Sequence, residues 1–542
     1  MKRSDFKETK EYDLIIIGGG ITGAAVAYDA SARGLSVALL EKDDFGSKTS
    51  SATSKLIHGG LRYLANFELG LVRESLRERR ILENIAPNFV YPIPNMIITD
   101  KKSFQTKKFA LKLGMILYDI LSFDKKFTWD KSKRIPCHRS MSRAETIREE
   151  PLVEKKDLTG SLVYYDCASI FPERLTLAFV KSAVFNGTDA ANYMEVTGFN
   201  LNGNKISGIT AKDKIKNKKI KISGKLVINC AGAWADKILN LTGKNFHEEI
   251  LRRSEGIHII TEKITEENLV TAMTPSGRHI FIIPWRGHSL IGTTDKEFLG
   301  SPDDWKVSRE SIDGLIEEVN ASFSDKIKIS YEDILYCYGG LRPLVETETE
   351  DVYQSSRKYE IYDNSQDGID GLLTVEGGKY TTSRNLALHV VEQSCKKLGI
   401  KAVRSETDKN YLAGSEIEDI EAYISYCKEL YESFNNDHID YLARIYGTEL
   451  SAVIDIASEN KKFSEPLNSD GELLAQVIYA IKDEMALTLN DILFRRTGIG
   501  TLGHPGKDAL KKVADTAAGI LGWDAAKKKA EIAAAEKIFL IP

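Results

Sequence analysis

Residues 12–41 read YDLIIIGGGITGAAVAYDASARGLSVALLE, and this stretch decides the fold of the first part of the chain. Leu14 to Ile17 has the apolar character of a buried parallel strand, and Gly18, Gly20 and Gly23 follow it in GxGxxG spacing. The glycines supply a tight turn, close approach of the backbone to a pyrophosphate, and close packing of the next helix. That helix starts with unpaired N–H groups and a dipole that favour negative charge, so it offers the phosphates a seat. Arg33-Gly34 ends it, Ser36 to Leu40 forms the next strand, and Glu41 arrives where a ribose hydroxyl needs an acceptor. An acid there disfavours a 2′-phosphate. The stretch therefore predicts a Rossmann-like α/β unit holding an ADP-containing cofactor, FAD or NAD rather than NADP.

A second GxGxxG match, Gly498 to Gly503, follows the charged FRRT and runs into His504-Pro505-Gly506, where no helix can begin. It reads as a glycine-rich loop. A single good dinucleotide site favours a tightly held flavin over a flavin plus a nicotinamide.

At 542 residues the chain exceeds what one core usually serves, so about two or three domains are expected. A formal charge of −4 with pI ≈ 6.2 gives no global reason to expect nucleic acid. The six cysteines, Cys137, Cys167, Cys230, Cys337, Cys395 and Cys427, show no CxxC and no Cys/His ligand spacing. Reduced buried thiols and no metal site are the expectation. MKRSDFKETKEYD lacks the apolar core of a signal peptide, and no stretch reaches the ~18 apolar residues of a spanning helix, which points to the cytoplasm.

Changes of pattern divide the chain. Residues 1–91 are expected to form the first part of the cofactor domain, 92–155 an insertion belonging to a substrate domain, and 156–250 the second cofactor part, with a hairpin turn at Asn202-Gly203. Residues 251–335 read as further strands of the substrate domain, a sheet suited to roofing a substrate, with about three strands over His258 to Thr294. Residues 336–405 return to the cofactor domain through Leu372 to Gly378 and a helix over Lys379 to Leu398. Residues 406–542 read as a helical C-terminal domain. Within the insertion, Lys107 to Leu121 joins a basic start to an apolar face of Phe109, Leu113, Ile116, Leu117 and Ile120. Such a helix either lies on an anionic membrane or packs inside the substrate domain.

The segments IGGGITGAAVAYDASARG, TSSATSKLIHGGLRYL, YGGLRPL and GGKYTTSRNLA, in this order, resemble the signature stretches of the FAD-dependent glycerol-3-phosphate dehydrogenases. DILFRRT, Asp491 to Thr497, resembles a motif of their helical C-terminal domain. Related flavin amine oxidases share the first stretch but not SKLIHGGLRYL. Two residues depart from the pattern: Ala25 stands for a glycine, and Ser383 for a tyrosine beside the glycine turn near the flavin. The resemblance implies a Rossmann-like FAD-binding domain of the glutathione-reductase and D-amino-acid-oxidase type, with a mixed β-sheet substrate domain and a helical C-terminal domain. It also implies oxidation of sn-glycerol 3-phosphate to dihydroxyacetone phosphate.

That substrate brings a phosphate of about two negative charges, so convergent cations are needed. Arg62, Arg342, Arg357 and Lys379 sit in loops or at element ends, Arg as a planar fork and Lys as a point charge, and Tyr63 follows Arg62 in the matched GGLRYL. Each, taken alone, is also readable as one more surface cation among 74 Lys and Arg. Gly377-Gly378 would let the backbone approach a flat ring, and Gly232 ends a strand re-entering the cofactor sheet. Thr49, Ser50, Ser51 and Ser54 would give hydroxyls to pyrophosphate or ring, or else form a plain solvated loop.

An alcohol is a poor acid, so hydride transfer from C2 needs a base. Of nine histidines two lie in matched stretches: His58, whose expected task is flavin support, and His258, which faces the substrate under the family reading. Arg342 would hold the developing oxygen. The expected acceptor is a membrane quinone, with peripheral membrane contact and a homodimer as further partners and no nucleic acid. Alternatives are a glycerol-3-phosphate oxidase using oxygen, a flavin amine or 2-hydroxy-acid oxidase, and a non-catalytic flavin-bound adaptor.

Overall fold

The computed structural model describes residues 1–65, 67–101, 108–244, 251–323, 328–345 and 359–542. Its first sheet runs in the order Tyr359–Asp363, Leu372–Gly377, Lys218–Asn229, Glu11–Ile17, Val37–Leu40, Asp189–Ala191. All neighbours are parallel except the edge strand Tyr359–Asp363. Successive side chains of a strand point to opposite faces, and Glu11–Ile17 obeys this. Leu14 and Ile16 join a core with the helices Ile21–Ala32, Pro172–Phe185 and Ser383–Leu398. Ile15 and Ile17 face the meander of Met194–Asn202, Lys205–Asp213 and Lys218–Asn229. Burial on both faces is why the strand reads as an unbroken apolar run.

The second sheet has the order Lys296–Glu297, Leu251–Glu262, His288–Gly292, His279–Trp285, Leu269–Met273, Val90–Thr99, Gly160–Ser169, Leu56–Ile57. Tyr336–Val345 pairs along the other edge of Leu251–Glu262, and Arg139–Ser142 pairs with Gly160–Ser169. Four strands thus lie between Leu251 and Gly292. Three stretches assigned from sequence to the cofactor domain, Leu56–Ile57, Gly160–Ser169 and Tyr336–Val345, belong to this sheet instead. Gly160–Ser169 runs antiparallel to Val90–Thr99 from Val90↔Ser169 to Thr99↔Gly160, and Tyr336–Val345 is in register with Leu251–Glu262 from Leu251↔Val345 to Ile260↔Tyr336. Alternation in a sequence reveals a strand but not its partner. Similarly, the helix expected from Lys379 starts at Ser383, because Gly377 and Gly378 take φ of +69° and +91° and a turn intervenes.

The C-terminal part is helical from Ile420–Leu430 to Ala525–Phe539. It shares a core with the second sheet, where Ile260, Trp285 and Tyr336 meet Leu474, Leu493 and Val513. The DILFRRT stretch also reaches into the cofactor domain. Arg496 donates from both terminal nitrogens to the Asp44 carboxylate at 2.8 Å each, and Arg495 Nε donates to the same carboxylate at 2.6 Å. Asp44 and Arg496 are both fully buried. The Gly498–Gly503 stretch is a turn. A Cβ on Gly498 would lie 2.3 Å from the Tyr441 hydroxyl, so this glycine serves packing.

Helix Lys108–Leu121 buries only Met115 and Tyr118. Phe109, Leu113, Ile116 and Ile120 are 74%, 53%, 41% and 61% exposed, a stripe at i, i+4, i+7 and i+11. Leu117 is half-buried, and Lys107 lies outside the described residues. Among the described residues no helix is long and apolar enough to cross a membrane.

Candidate active site

The parallel strands of the first sheet end at a common edge, and ligands of open α/β sheets bind outside such an edge. Ile17, Leu40, Cys230 and Gly377, at or just past four strand ends, line a cleft of ≈ 480 Å³ whose other wall comes from the second sheet. At its centre is the glycine turn. Gly18 has φ +104°, and a Cβ on it would lie 2.6 Å from the Cys230 carbonyl oxygen. A Cβ on Gly23 would lie 1.9 Å from the Gly18 carbonyl oxygen, so this glycine sets helix against strand and does not itself line the cleft. Gly20 caps the helix, which has no acid in its first turn. The Ser50 hydroxyl accepts from the Ile21 amide at 2.9 Å.

Glu41 lines one end of the cleft. Its carboxylate accepts from the Gly19 amide at 2.6 Å and the Asp43 amide at 2.8 Å, tying the second strand to the glycine turn. Burial lifts its pKa, with those two amides pulling the other way. Sequence reasoning missed the neighbours at this end, Lys42, Lys237 and Trp234. They converge on Asp303 from separate parts of the chain, with Trp234 Nε1 donating to it at 2.7 Å. Only the Ala-Trp after Gly232 hinted at them. Gly232 takes φ +56° with open space where a Cβ would be, and lines the cleft with Gly378.

The opposite end gathers the titrating groups. Arg342 lies directly across from Ser254 in the strand register. Its guanidinium donates to the Ser254 and Thr293 hydroxyls at 3.2 and 2.6 Å and to the Glu255 and Thr294 carbonyls at 3.2 and 3.1 Å, and a Cβ on Gly256 would sit 1.9 Å from it. The fork is thereby fixed in orientation. Lys379 Nζ lies 3.9 Å from the Tyr63 ring centroid and donates to the Ser75 hydroxyl at 3.2 Å. His258 is 1% exposed, with Nε2 2.8 Å from the Ser54 hydroxyl. Burial, then Arg342, then Lys55 hold its pKa well below the ordinary imidazole value, so the ring is neutral. His58 is also held low, first by burial, although Asp166 opposes this. Its amide donates to the Thr381 hydroxyl at 3.3 Å.

The cleft thus brings together Tyr63, Lys379, His58, His258, Arg342, Thr49, Ser50, Ser54, Gly377 and Gly378. Besides Gly23, two expected residues of the described part are not among its lining. Arg62 stacks on Tyr63 at 5.1 Å, and the Ser51 hydroxyl donates to the Lys48 carbonyl at 2.9 Å. Arg357 lies outside the described residues. The Thr49 hydroxyl donates to the Leu341 carbonyl at 2.6 Å and Ser54 bonds His258, so these two hydroxyls serve the protein as well as the cleft. Among the described residues no group of three His, Cys, Asp or Glu side chains could hold a metal ion.

A glycine cradle at a helix N-terminus, an acid at the next strand end and an elongated cleft running to a cationic end fit a dinucleotide such as FAD. A family model described as FAD dependent oxidoreductase matches residues 13–384, and one described as the C-terminal domain of alpha-glycerophosphate oxidase matches residues 405–528. Fold and site together define a FAD-dependent oxidoreductase. The glycerol-3-phosphate dehydrogenase of Synechocystis sp. is 35% identical over 530 residues, 94% of this chain and 93% of that protein. The aerobic glycerol-3-phosphate dehydrogenase of Staphylococcus saprophyticus is 32% identical, covering 97% and 94%. The crystal structure of the glycerol-3-phosphate dehydrogenase from Bacillus halodurans complexed with FAD superposes with a TM-score of 0.78 at 27% identity, over 98% of this chain and 95% of that one. The chain belongs to the FAD-dependent glycerol-3-phosphate dehydrogenase family.

Proposed function

We propose that this protein oxidises sn-glycerol 3-phosphate to dihydroxyacetone phosphate and passes the electrons to a membrane quinone. The observation that carries this reading is a single cleft lined by Arg342, Lys379 and the buried, neutral His258, with Arg342 acting directly on the imidazole. FAD, when bound, supplies the hydride acceptor, held by Gly18, Gly20, Glu41, Ser50, Gly232, Gly377 and Gly378. Lys379 draws in the phosphate as a point charge, steadied by Tyr63 and Ser75. Arg342, clamped before substrate arrives, holds the C2 oxygen as charge develops on it, a preorganised donor that has no reorganisation to undergo. His258 is the base on which the proton released by the C2 hydroxyl ends. Arg342 and Lys55 both disfavour an imidazolium there, and the two negative charges of the substrate phosphate offset them.

Anaerobic single-turnover flavin bleaching tests this reading. Glycerol 3-phosphate should bleach the flavin, whereas glycerol, amines and 2-hydroxy acids should not. Lys379→Ala should raise KM about 10–100-fold, the loss of one charge-assisted hydrogen bond, with a smaller change in the bleaching rate. Bleaching by an amine or hydroxy acid in preference to the phosphate ester would move the protein to another chemistry.

The quinone assignment is supported by the exposed stripe of Lys108–Leu121, which fits a helix lying in a bilayer surface. Phe123 and Phe127, both exposed, extend the apolar surface into the following turn. In liposome flotation the protein should rise with anionic vesicles at low salt. It should fall away when salt is raised or when Lys107 and Lys108 become Glu. Absence from the lipid fraction at every salt concentration would leave oxygen as the better acceptor.

A further inference from the structure

His258 borders the cleft but is only 1% exposed. Its strand, Leu251–Glu262, is central, and in the register His258 lies between Gly292 on one neighbour and Tyr338 on the other. Tyr338 stacks on the imidazole at 5.1 Å between centroids and 18° between planes. On the other side, a Cβ on Gly292 would lie 2.5 Å from the ring carbon Cδ2. Rotation of the ring is therefore blocked on both sides. Nδ1 is buried and, among the described residues, has no hydrogen-bond partner. Nε2 is covered by the Ser54 hydroxyl at 2.8 Å. Ser54 itself is half-buried and lines the cleft. Its position is fixed by the same neighbour, because the Tyr338 hydroxyl donates to the Thr53 carbonyl at 2.8 Å.

We propose that Ser54 is a catalytic residue that relays the substrate proton to His258; this rests on the reading of His258 as base. The O–H bond of the C2 hydroxyl breaks and its proton goes to Ser54 Oγ. The proton already on Ser54 Oγ passes to His258 Nε2, leaving an imidazolium. The C2–H hydrogen leaves with its electron pair to the flavin, which is the oxidant, and C2–O becomes a carbonyl. For Nε2 to accept, the resting imidazole carries its proton on Nδ1. That is the distinguishing feature, because a merely structural bond would serve as well with Nε2–H donating to serine.

Nitrogen NMR of protein labelled with 15N-histidine reads this directly, with His258 assigned by the signals lost in His258→Asn. The expected result is an unprotonated, hydrogen-bonded Nε2 at neutral pH, whose shift moves in Ser54→Ala and returns in Ser54→Thr. A protonated Nε2 in the resting protein would overturn the relay without any variant.

The kinetic counterpart is the rate of flavin bleaching, counted per bound flavin so that cofactor loss cannot imitate a defect. Ser54→Ala should slow it by on the order of 10–10²-fold, and Ser54→Thr should recover most of the rate. In mixtures of light and heavy water the wild-type rate should follow a curved dependence from two protons in flight, and Ser54→Ala a straight line from one. A Ser54→Ala protein with the wild-type rate, beside a slowed His258→Asn, removes the relay alone. An unaffected His258→Asn removes the base assignment itself.

Discussion

Replacing His258 with asparagine is expected to slow flavin reduction by about 10²–10⁴-fold while leaving substrate affinity nearly unchanged. Asparagine is polar and smaller than histidine, so the strand can be kept while the proton acceptor is lost. The pH dependence sharpens the test. Burial, then Arg342 and Lys55, hold the His258 pKa well below its ordinary value of 6.5. The free enzyme therefore has its base in the active, neutral form throughout the neutral range and loses it only as pH falls below the usual imidazole range. The acidic limb of kcat/KM should lie there in the wild type and be absent in the variant. Stopped-flow bleaching without acceptor reads both quantities. A variant that keeps rate and limb moves the base elsewhere, with His58 next to be tested.

Arg496→Ala should cost about 3–5 kcal/mol of stability and loosen FAD, although Arg496 does not line the cleft. The substitution leaves the fully buried Asp44 carboxylate, three residues after Glu41, with Arg495 as its one remaining cationic donor and the Asn192 amide beside it. Burial pushes the Asp44 carboxyl up, but Arg496 and Arg495 outweigh it and hold the pKa at about 2. Because this lies below the unfolded value of about 3.9, the pair stabilises the fold above that pH. Its contribution is lost as pH falls towards 2. Without Arg496 the carboxyl titrates at higher pH, so the variant should begin to unfold at a less acidic pH than the wild type. Thermal unfolding followed by flavin fluorescence from neutral to acidic pH measures both effects. Equal Tm and equal acid profiles would show that the C-terminal domain does not brace the cofactor loop.

The first of these residues was legible in the sequence and the second only as a motif, and the difference is physical. The strand, glycine turn and helix of residues 12–41 announce themselves because their determinants are local: apolar burial, φ values open to glycine, and packing so close that a Cβ on Gly23 would lie 1.9 Å from the Gly18 carbonyl oxygen. His258, Arg342 and Lys379 were found through the stretches that surround them. The partnership of Asp44 with Arg496 spans 452 positions, and nothing in either segment points to the other. Ser54 was read as a donor to the cofactor because its loop is rich in hydroxyls. Its bond to His258 depends on a sheet assembled from distant strands. Arg62 sits beside Tyr63 in sequence, and the turn that places Tyr63 at the cleft leaves Arg62 stacked on its ring. For Lys108–Leu121, periodicity predicted the apolar face. Which side the rest of the molecule leaves uncovered is a property of the packing.

The order of strands in the first sheet also sets a timetable for synthesis. Leu14 pairs with Leu226, and the next residue of that strand, Val227, pairs with Leu372. Roughly 360 residues must therefore leave the ribosome between the first strand and the last parallel one, on the order of 20–70 s of translation. Throughout that interval the run Leu14–Ile17 lacks its covering helix Ser383–Leu398, although its parallel neighbours Val37–Leu40 and Lys218–Asn229 are made sooner, and the clasp on Asp44 emerges later still. A nascent chain is thus apolar at its leading end long before it can close, so the yield of folded protein in cells should depend on chaperone supply and on FAD being present as the C-terminal helices appear.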